Sequence, residues 1–180
     1  MPFCVGGGVR AVDDIRRLLL AGADKVAINT AAVELPELIA GGATLFGAQC
    51  IVVSVDFRCR EGRSVVVTHG GAVDTNRDVL DHVRRCVDLG AGEILLTSID
   101  RDGTMRGYDL EITRLVADAV PVPVIASGGA GALHHLVDAV QDGHASAVAV
   151  GSLFHFTDQS PIKARAFMRG AGVDVRTEAA

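Results

Sequence analysis

Short apolar runs and amphipathic stretches alternate along this chain with little interruption. Phe3-Cys4-Val5, Lys25–Ile28, Cys50–Val55, Ile94–Leu96, Pro123–Ser127 and Ala147–Val150 are rich in Val, Ile, Leu and Ala, which is how buried parallel strands read. Between them, apolar residues recur at helical spacing: Val12, Ile15, Leu18 and Leu19; Leu38, Ile39 and Leu45; Val79, Val83, Cys86 and Val87; Ile112, Leu115, Val116 and Ala119; Leu133, Leu136, Val137 and Val140. Pro36 suits the first turn of the second helix, and Gly22 and Gly90 suit the ends of the first and third. Val65–Thr68, after the Glu61-Gly62 turn, predicts a short hairpin inserted behind the third strand. A further short helix follows Pro161, and residues 173–180 read as a loose polar tail. Six strands alternating with helices predict one α/β domain over residues 1–180, with a parallel sheet that is either a (β/α) barrel or a doubly wound sheet.

The polar and glycine-rich elements all fall after strands. Ile94–Leu96 leads into Thr97, Ser98, Asp100, Asp102, Gly103, Thr104 and Gly107, and the Cys50–Val55 run ends on Asp56. In an extended segment Asp100 and Asp102 share one side. An internal repeat adds weight to this edge. Gly7-Gly8-Val9 and Gly128-Gly129-Ala130 each follow a strand, precede an amphipathic helix, and meet a helix-ending glycine fifteen residues on (Gly22, Gly143). The next strand then ends in a small hydroxylated residue, Thr30 or Ser152, with one inserted residue near His144 separating the two registers. Duplicated units of this kind imply symmetric placement. Glycines let backbone N–H groups approach an anion, and the following helix adds its dipole. The pair therefore predicts two equivalent phosphate sites facing each other across the mouth of a sheet.

Composition narrows the partners. With 17 Lys and Arg against 22 Asp and Glu, the net charge is −5 and no basic run occurs. This argues against nucleic acid or an anionic membrane as the main partner. No apolar run is long enough for a membrane span and no leader pattern opens the chain. Cys4, Cys50, Cys59 and Cys86 form no CxxC pair, so they are expected to be reduced, mostly buried thiols of a cytoplasmic protein, with no metal site. His69, His134, His135 and His155 lack metal-ligand spacing and are expected on the surface or in packing. Tyr108 is expected to pack a loop.

The segments VGGGVR, GADKVAINTAAV, FGAQCIVVSVD, GAGEILLTSIDRDGTMRGYD, VPVIASGGAG and GSLFHF resemble the cyclase subunit of imidazole glycerol phosphate synthase, in the histidine-biosynthesis barrel family. The resemblance covers nearly the whole chain. It implies a TIM-type (βα)8 barrel that takes ammonia from a glutaminase partner and works on a bisphosphorylated ribonucleotide, giving imidazole glycerol phosphate and an aminoimidazole carboxamide ribotide without a cofactor. By the same resemblance Asp56 is the general acid/base. Gly8, Asn29 and Thr30 belong to one phosphate site, and Asp102, Gly103, Gly129 and Ser152 to the region of the other. Lys25 and Glu93 would ring the entrance for ammonia.

The pattern departs from the family in places. The family's chain begins two βα units earlier, and the first of those strands carries a second catalytic aspartate. Here strands three to eight are present, so an incomplete barrel is expected and full catalysis by this chain alone is not. Asn76 stands where the family usually has Gly, and Asp56 is followed by Phe57-Arg58. The stretch HFTDQSPIKARAF also resembles a paralogous, glutaminase-paired subunit in the amidation of surface-polysaccharide sugars. That paralogue, and an inactive fragment that only docks a glutaminase, are the alternatives.

Overall fold

A computed structural model describes residues 2–176. Its single sheet is built on six parallel strands in the order β1 (Cys4–Gly6), β2 (Lys25–Ile28), β3 (Ile51–Arg60), β6 (Glu93–Ser98), β7 (Val124–Ser127) and β8 (Ala147–Val148). Consecutive parallel strands are neighbours, joined by helices that include α1 (Val12–Leu20), α3 (Glu37–Phe46), α4 (Val79–Asp88), α5 (Leu110–Ala117) and α6 (Leu133–Gln141). This sequential order is that of an incomplete TIM-type barrel and not of a doubly wound sheet, in which the strand order reverses.

Alternation along the strands shows which face is which. Ile51, Val53, Val55 and Phe57 of β3 are essentially inaccessible, as are Val26, Ile28, Ile94, Leu96 and Val124 on the neighbouring strands. They pack with Ile15, Ile39, Val83, Cys86 and Val116 from the helices into one core. Ser54 and Asp56 of β3, Thr97 of β6 and Ser127 of β7 point to the opposite, half-buried face. A second core, including Leu136, Ala139, Leu153 and Met168, joins α6 to α7 (Ser152–Phe156) and α8 (Pro161–Gly170).

Several expectations need correction. The hairpin expected at Val65–Thr68 forms on the Glu61-Gly62 turn but is part of a larger antiparallel extension. β3 runs on to Arg60, β4 (Arg63–Thr68) pairs with it antiparallel, and β5 (Val73–Asp78) pairs with β4. The sequence VDTNRD has no apolar alternation to announce β5, which is held by ladder bonds. The last parallel strand stops at Val148, two residues short of the predicted end. Thr30 opens a short helix, α2 (Thr30–Glu34), and does not end the strand before it. Leu115, expected inward, is exposed, and α5 ends before Ala119. Of the four thiols only Cys86 is buried, while Cys4 and Cys59 are exposed. Val173 is buried against Met168, and its N–H donates to the Met168 carbonyl. Residues 177–180 of the expected tail lie outside the described residues.

Candidate functional site

The repeat seen in the sequence is a repeat of backbone geometry. Gly7 and Gly8 have φ of 107° and 70°, and Gly128 and Gly129 have 87° and 104°. All four lie in the left-handed region that favours glycine. The residue before α1, Ala11, has φ −143° and ψ 159°. Its counterpart before α6, Ala132, has φ −145° and ψ 157°. Asn29 before α2 (φ −113°, ψ −92°) matches Gly151 before α7 (φ −116°, ψ −77°). The inserted residue is His144, whose φ of 54° lets the extra position fold into the turn.

The first loop opens on a cleft of about 710 Å³ that gathers Gly8, Asn29, Thr30 and Asp56. Asp56 pairs with Thr97 of β6, one residue before the parallel register of β3 ends at Phe57 and Ser98. Its Oδ2 accepts a hydrogen bond from Asn29 Nδ2 at 2.8 Å. Burial pushes the Asp56 carboxyl above its ordinary value, hydrogen bonds from Asn29 and Thr97 pull it back, and the negative charge of Asp102 adds to the rise. A carboxyl held between these opposing influences is suited to taking and returning a proton. The Thr30 hydroxyl accepts the backbone N–H of His69 at 3.2 Å, which leaves its own proton free for a ligand.

The second loop borders a smaller cavity of about 280 Å³, which gathers Asp102, Gly129 and Ser152. Gly103 follows Asp102 in the same loop, in left-handed backbone (φ 74°), outside this lining. Asp100 and Asp102 part company because the chain turns after Ser98: the N–H groups of Arg101 and Asp102 both donate to the Ser98 carbonyl. Asp100 Oδ2 instead accepts the N–H of Cys59 at 2.8 Å and ties this turn to the end of β3. At the opposite end of the sheet, Lys25 and Glu93 open β2 and β6 and form an ion pair across the start of β3.

Three residues of this region were not expected from the sequence to belong to a site. Arg10 lines the first cleft and brings the positive charge that the glycines lack; its place at the end of the VGGGVR run was the available signal. His69 reaches the same cleft from the end of β4, with Nε2 3.7 Å from Glu34 Oε1. Its position depends on the hairpin, which the sequence left underspecified. Thr97 is set opposite Asp56 only by strand register. The Tyr108 hydroxyl donates to the Ala149 carbonyl at 2.9 Å, a packing role for the loop that carries Asp102. Among the described residues no helix is long and apolar enough to cross a membrane.

A family model described as "Histidine biosynthesis protein" matches residues 1–160. Two curated relatives, each an "Imidazole glycerol phosphate synthase subunit HisF" from a strain of Caulobacter vibrioides, are 56% identical over 181 residues, which is 99% of this chain and 70% of theirs. The chain belongs to the histidine biosynthesis protein family, as a homologue of the cyclase subunit of imidazole glycerol phosphate synthase.

Proposed function

We propose that this chain carries the cyclase chemistry of its homologues. It takes ammonia released by a glutaminase subunit and converts a bisphosphorylated ribonucleotide into imidazole glycerol phosphate and aminoimidazole carboxamide ribotide. The observation that carries the reading is the placement of one tuned carboxyl, Asp56, at the same sheet edge as two loops of matched backbone geometry. A substrate with a phosphate at each end fits that arrangement. Backbone N–H groups at Gly8, the Thr30 hydroxyl and the Arg10 guanidinium take one phosphate. Gly129 and Ser152 take the other, while Asp102 orients loop amides or substrate hydroxyls.

Asp56 then acts as acid/base, moving protons as ammonia adds and the ring closes. Asn29 holds its carboxylate in place. Lys25 and Glu93, at the far end of the strands, mark the side on which the glutaminase docks and ammonia enters. The four free thiols agree with a reducing, cytoplasmic setting. Both relatives carry the histidine-pathway name, which favours the cyclase over the sugar-amidating paralogue.

The test is to supply ammonia and the bisphosphorylated ribonucleotide and to measure imidazole glycerol phosphate. Turnover is expected once the two βα units that precede these strands in the family are supplied, with Asp56→Asn lowering it at least about a hundredfold while leaving nucleotide affinity within a few-fold. Nucleotide binding without product in the unsubstituted chain would move the docking-only reading ahead. Failure to bind the nucleotide would overturn the substrate assignment.

A further inference from the structure

The two glycine loops are fastened by different side chains at the same position. In the first, Asp14 Oδ2 accepts the N–H groups of Arg10 and Ala11 at 2.9 and 3.0 Å. In the second, His135 Nδ1 accepts those of Gly131 and Ala132, both at 3.2 Å. A ring nitrogen that accepts two amides carries no proton, so His135 is the neutral tautomer with its proton on Nε2. The same ring has a second contact. Gly107 lies flat against it, so close that a Cβ there would meet Cδ2 at 3.3 Å. The Gly107 N–H in turn donates to the Gly129 carbonyl at 2.8 Å. One imidazole therefore holds the phosphate loop from both sides, through the amides that follow Gly129 and through the residue bonded to it.

We infer that neutral His135 is the positioning residue of the second phosphate loop, and that its protonation releases this loop while the Asp14-held loop keeps its grip. The inference rests on the reading of both loops as phosphate sites. His135 does not line the Gly129 cavity; it stands in the wall of a neighbouring cavity of about 570 Å³. The charged and titratable groups around it are His134 and Asp138 from its own helix, Arg101, Arg106, Tyr108, Asp109 and Glu111 from the segment after β6, and Cys59 from β3. Burial holds its imidazole below the ordinary value of 6.5, His134 adds to that, and Asp138 opposes it. The Asp14 carboxyl lies below the usual carboxylate range because the amides and Arg17 hydrogen-bond to it. Because its folded value is lowered, His135 still grips at the ordinary value of 6.5 and lets go only as pH falls further, through that lowered value, whereas Asp14 grips well into the acid range.

Ordinary electrostatics predicts the reverse, since a proton on His135 adds positive charge near an anion. That opposition makes the test sharp. Sulfate, which does not titrate in this range, would be added to the full chain while the amide resonances of Gly8, Arg10, Gly129, Gly131 and Ala132 are followed by NMR between pH 7.5 and 5. Sulfate affinity at Gly129 should fall about tenfold over that range, the weight of lost hydrogen bonds at the loop, while affinity at Gly8 holds or rises. His135→Asp installs the first loop's acceptor and His135→Asn supplies a neutral one. Both should keep the Gly129 affinity and remove its pH dependence. Tighter or unchanged sulfate binding at Gly129 in acid, or a pH dependence that survives in His135→Asn, would overturn the inference while leaving the phosphate reading intact. If sulfate moves neither loop, the phosphate reading fails and the inference falls with it.

Discussion

The two glycine loops agree in backbone and disagree in surroundings. Around Gly7 and Gly8, a Cβ would meet nothing within 4 Å. Around Gly129 the backbone is shut in: a Cβ would lie 2.2 Å from the Gly107 carbonyl oxygen and 3.0 Å from Arg101 Cβ. Gly131 is as crowded, with the Met105 carbonyl oxygen 2.1 Å from where its Cβ would be. What recurs is the turn that presents amides at the end of a strand. What differs is how the turn is secured, by a carboxylate in an open loop or by an imidazole in a packed one. A repeated unit is thus constrained in the turn that presents its amides and free to diverge where it meets the rest of the protein.

The largest expected difference follows directly. Gly8→Ala places a side chain in left-handed backbone with open space around it, a cost of about 1–2 kcal/mol. Gly129→Ala adds a collision with backbone that no side-chain rotation relieves, and should destabilise by about 4 kcal/mol or more. Denaturant midpoints of the two variants would show it. Equal losses would mean that the packing against Gly107 is not a constraint, and the contrast between the loops would collapse.

The next effect sits between the two loops, in α4. His82 is buried beside Cys86, with Nε2 3.6 Å from Sγ. Burial, then Arg77 and Arg85, push its imidazole from 6.5 down to about 4. Because the folded value is depressed, this contribution is complete above pH 6.5 and is lost as pH falls toward 4. The shift corresponds to about 3 kcal/mol for the whole fold. His82→Leu should flatten the stability profile between pH 7 and 4.5 in thermal melts. In that background the acid sensitivity contributed by the His135 loop stands out more clearly, which sharpens the comparison. An unchanged profile would show that His82 takes up its proton alike in the folded and unfolded chain, so that burial does not depress it.

How much of this could be read from the chain depends on which forces were local. The parallel strands and the helices α1, α3, α4, α5 and α6 announce themselves because burial on one or both faces imposes a period on the sequence. So does the repeat, since left-handed backbone demands glycine at Gly7, Gly8, Gly128 and Gly129. β5 was not legible, because its polar residues are held by main-chain bonds that leave no hydrophobic trace. The separation of Asp100 from Asp102 was misread for a related reason: the turn that divides them is set by amides donating to Ser98, not by side chains. At the site, Asp56 and Thr30 stood out as polar residues that follow apolar runs, although Thr30 opens a helix. The pairing of Asn29 with Asp56 and the opposition of Thr97 are products of register, and the two-sided grip of His135 joins segments distant in sequence. None of these can be seen before the sheet is assembled.

The smallest effect tests a place at the mouth where the loops differ in a side chain that reaches Asp56. Asn29 and Gly151 occupy matched positions with nearly the same backbone angles, yet only Asn29 has a group to offer. Its Nδ2 hydrogen bond stabilises the charged form of Asp56. Asn29→Gly copies the second loop into the first without asking the backbone to move. With that donor gone, burial and the Asp102 charge act on Asp56 with only Thr97 opposing them, so its carboxyl should titrate at higher pH. Carboxyl carbon shifts in NMR would report this directly. The acid side of the ammonia-dependent rate profile should move up in step, lowering activity there roughly a few-fold. Gly151→Asn is the converse. A Cβ at Gly151 meets nothing within 4 Å, so the side chain is accommodated, and the Asp56 titration should stay where it is. If both substitutions shift Asp56 alike, the effect belongs to the electrostatics of the whole mouth. If only Asn29→Gly does, the first half-site tunes the acid/base group and the second only holds its end of the ligand.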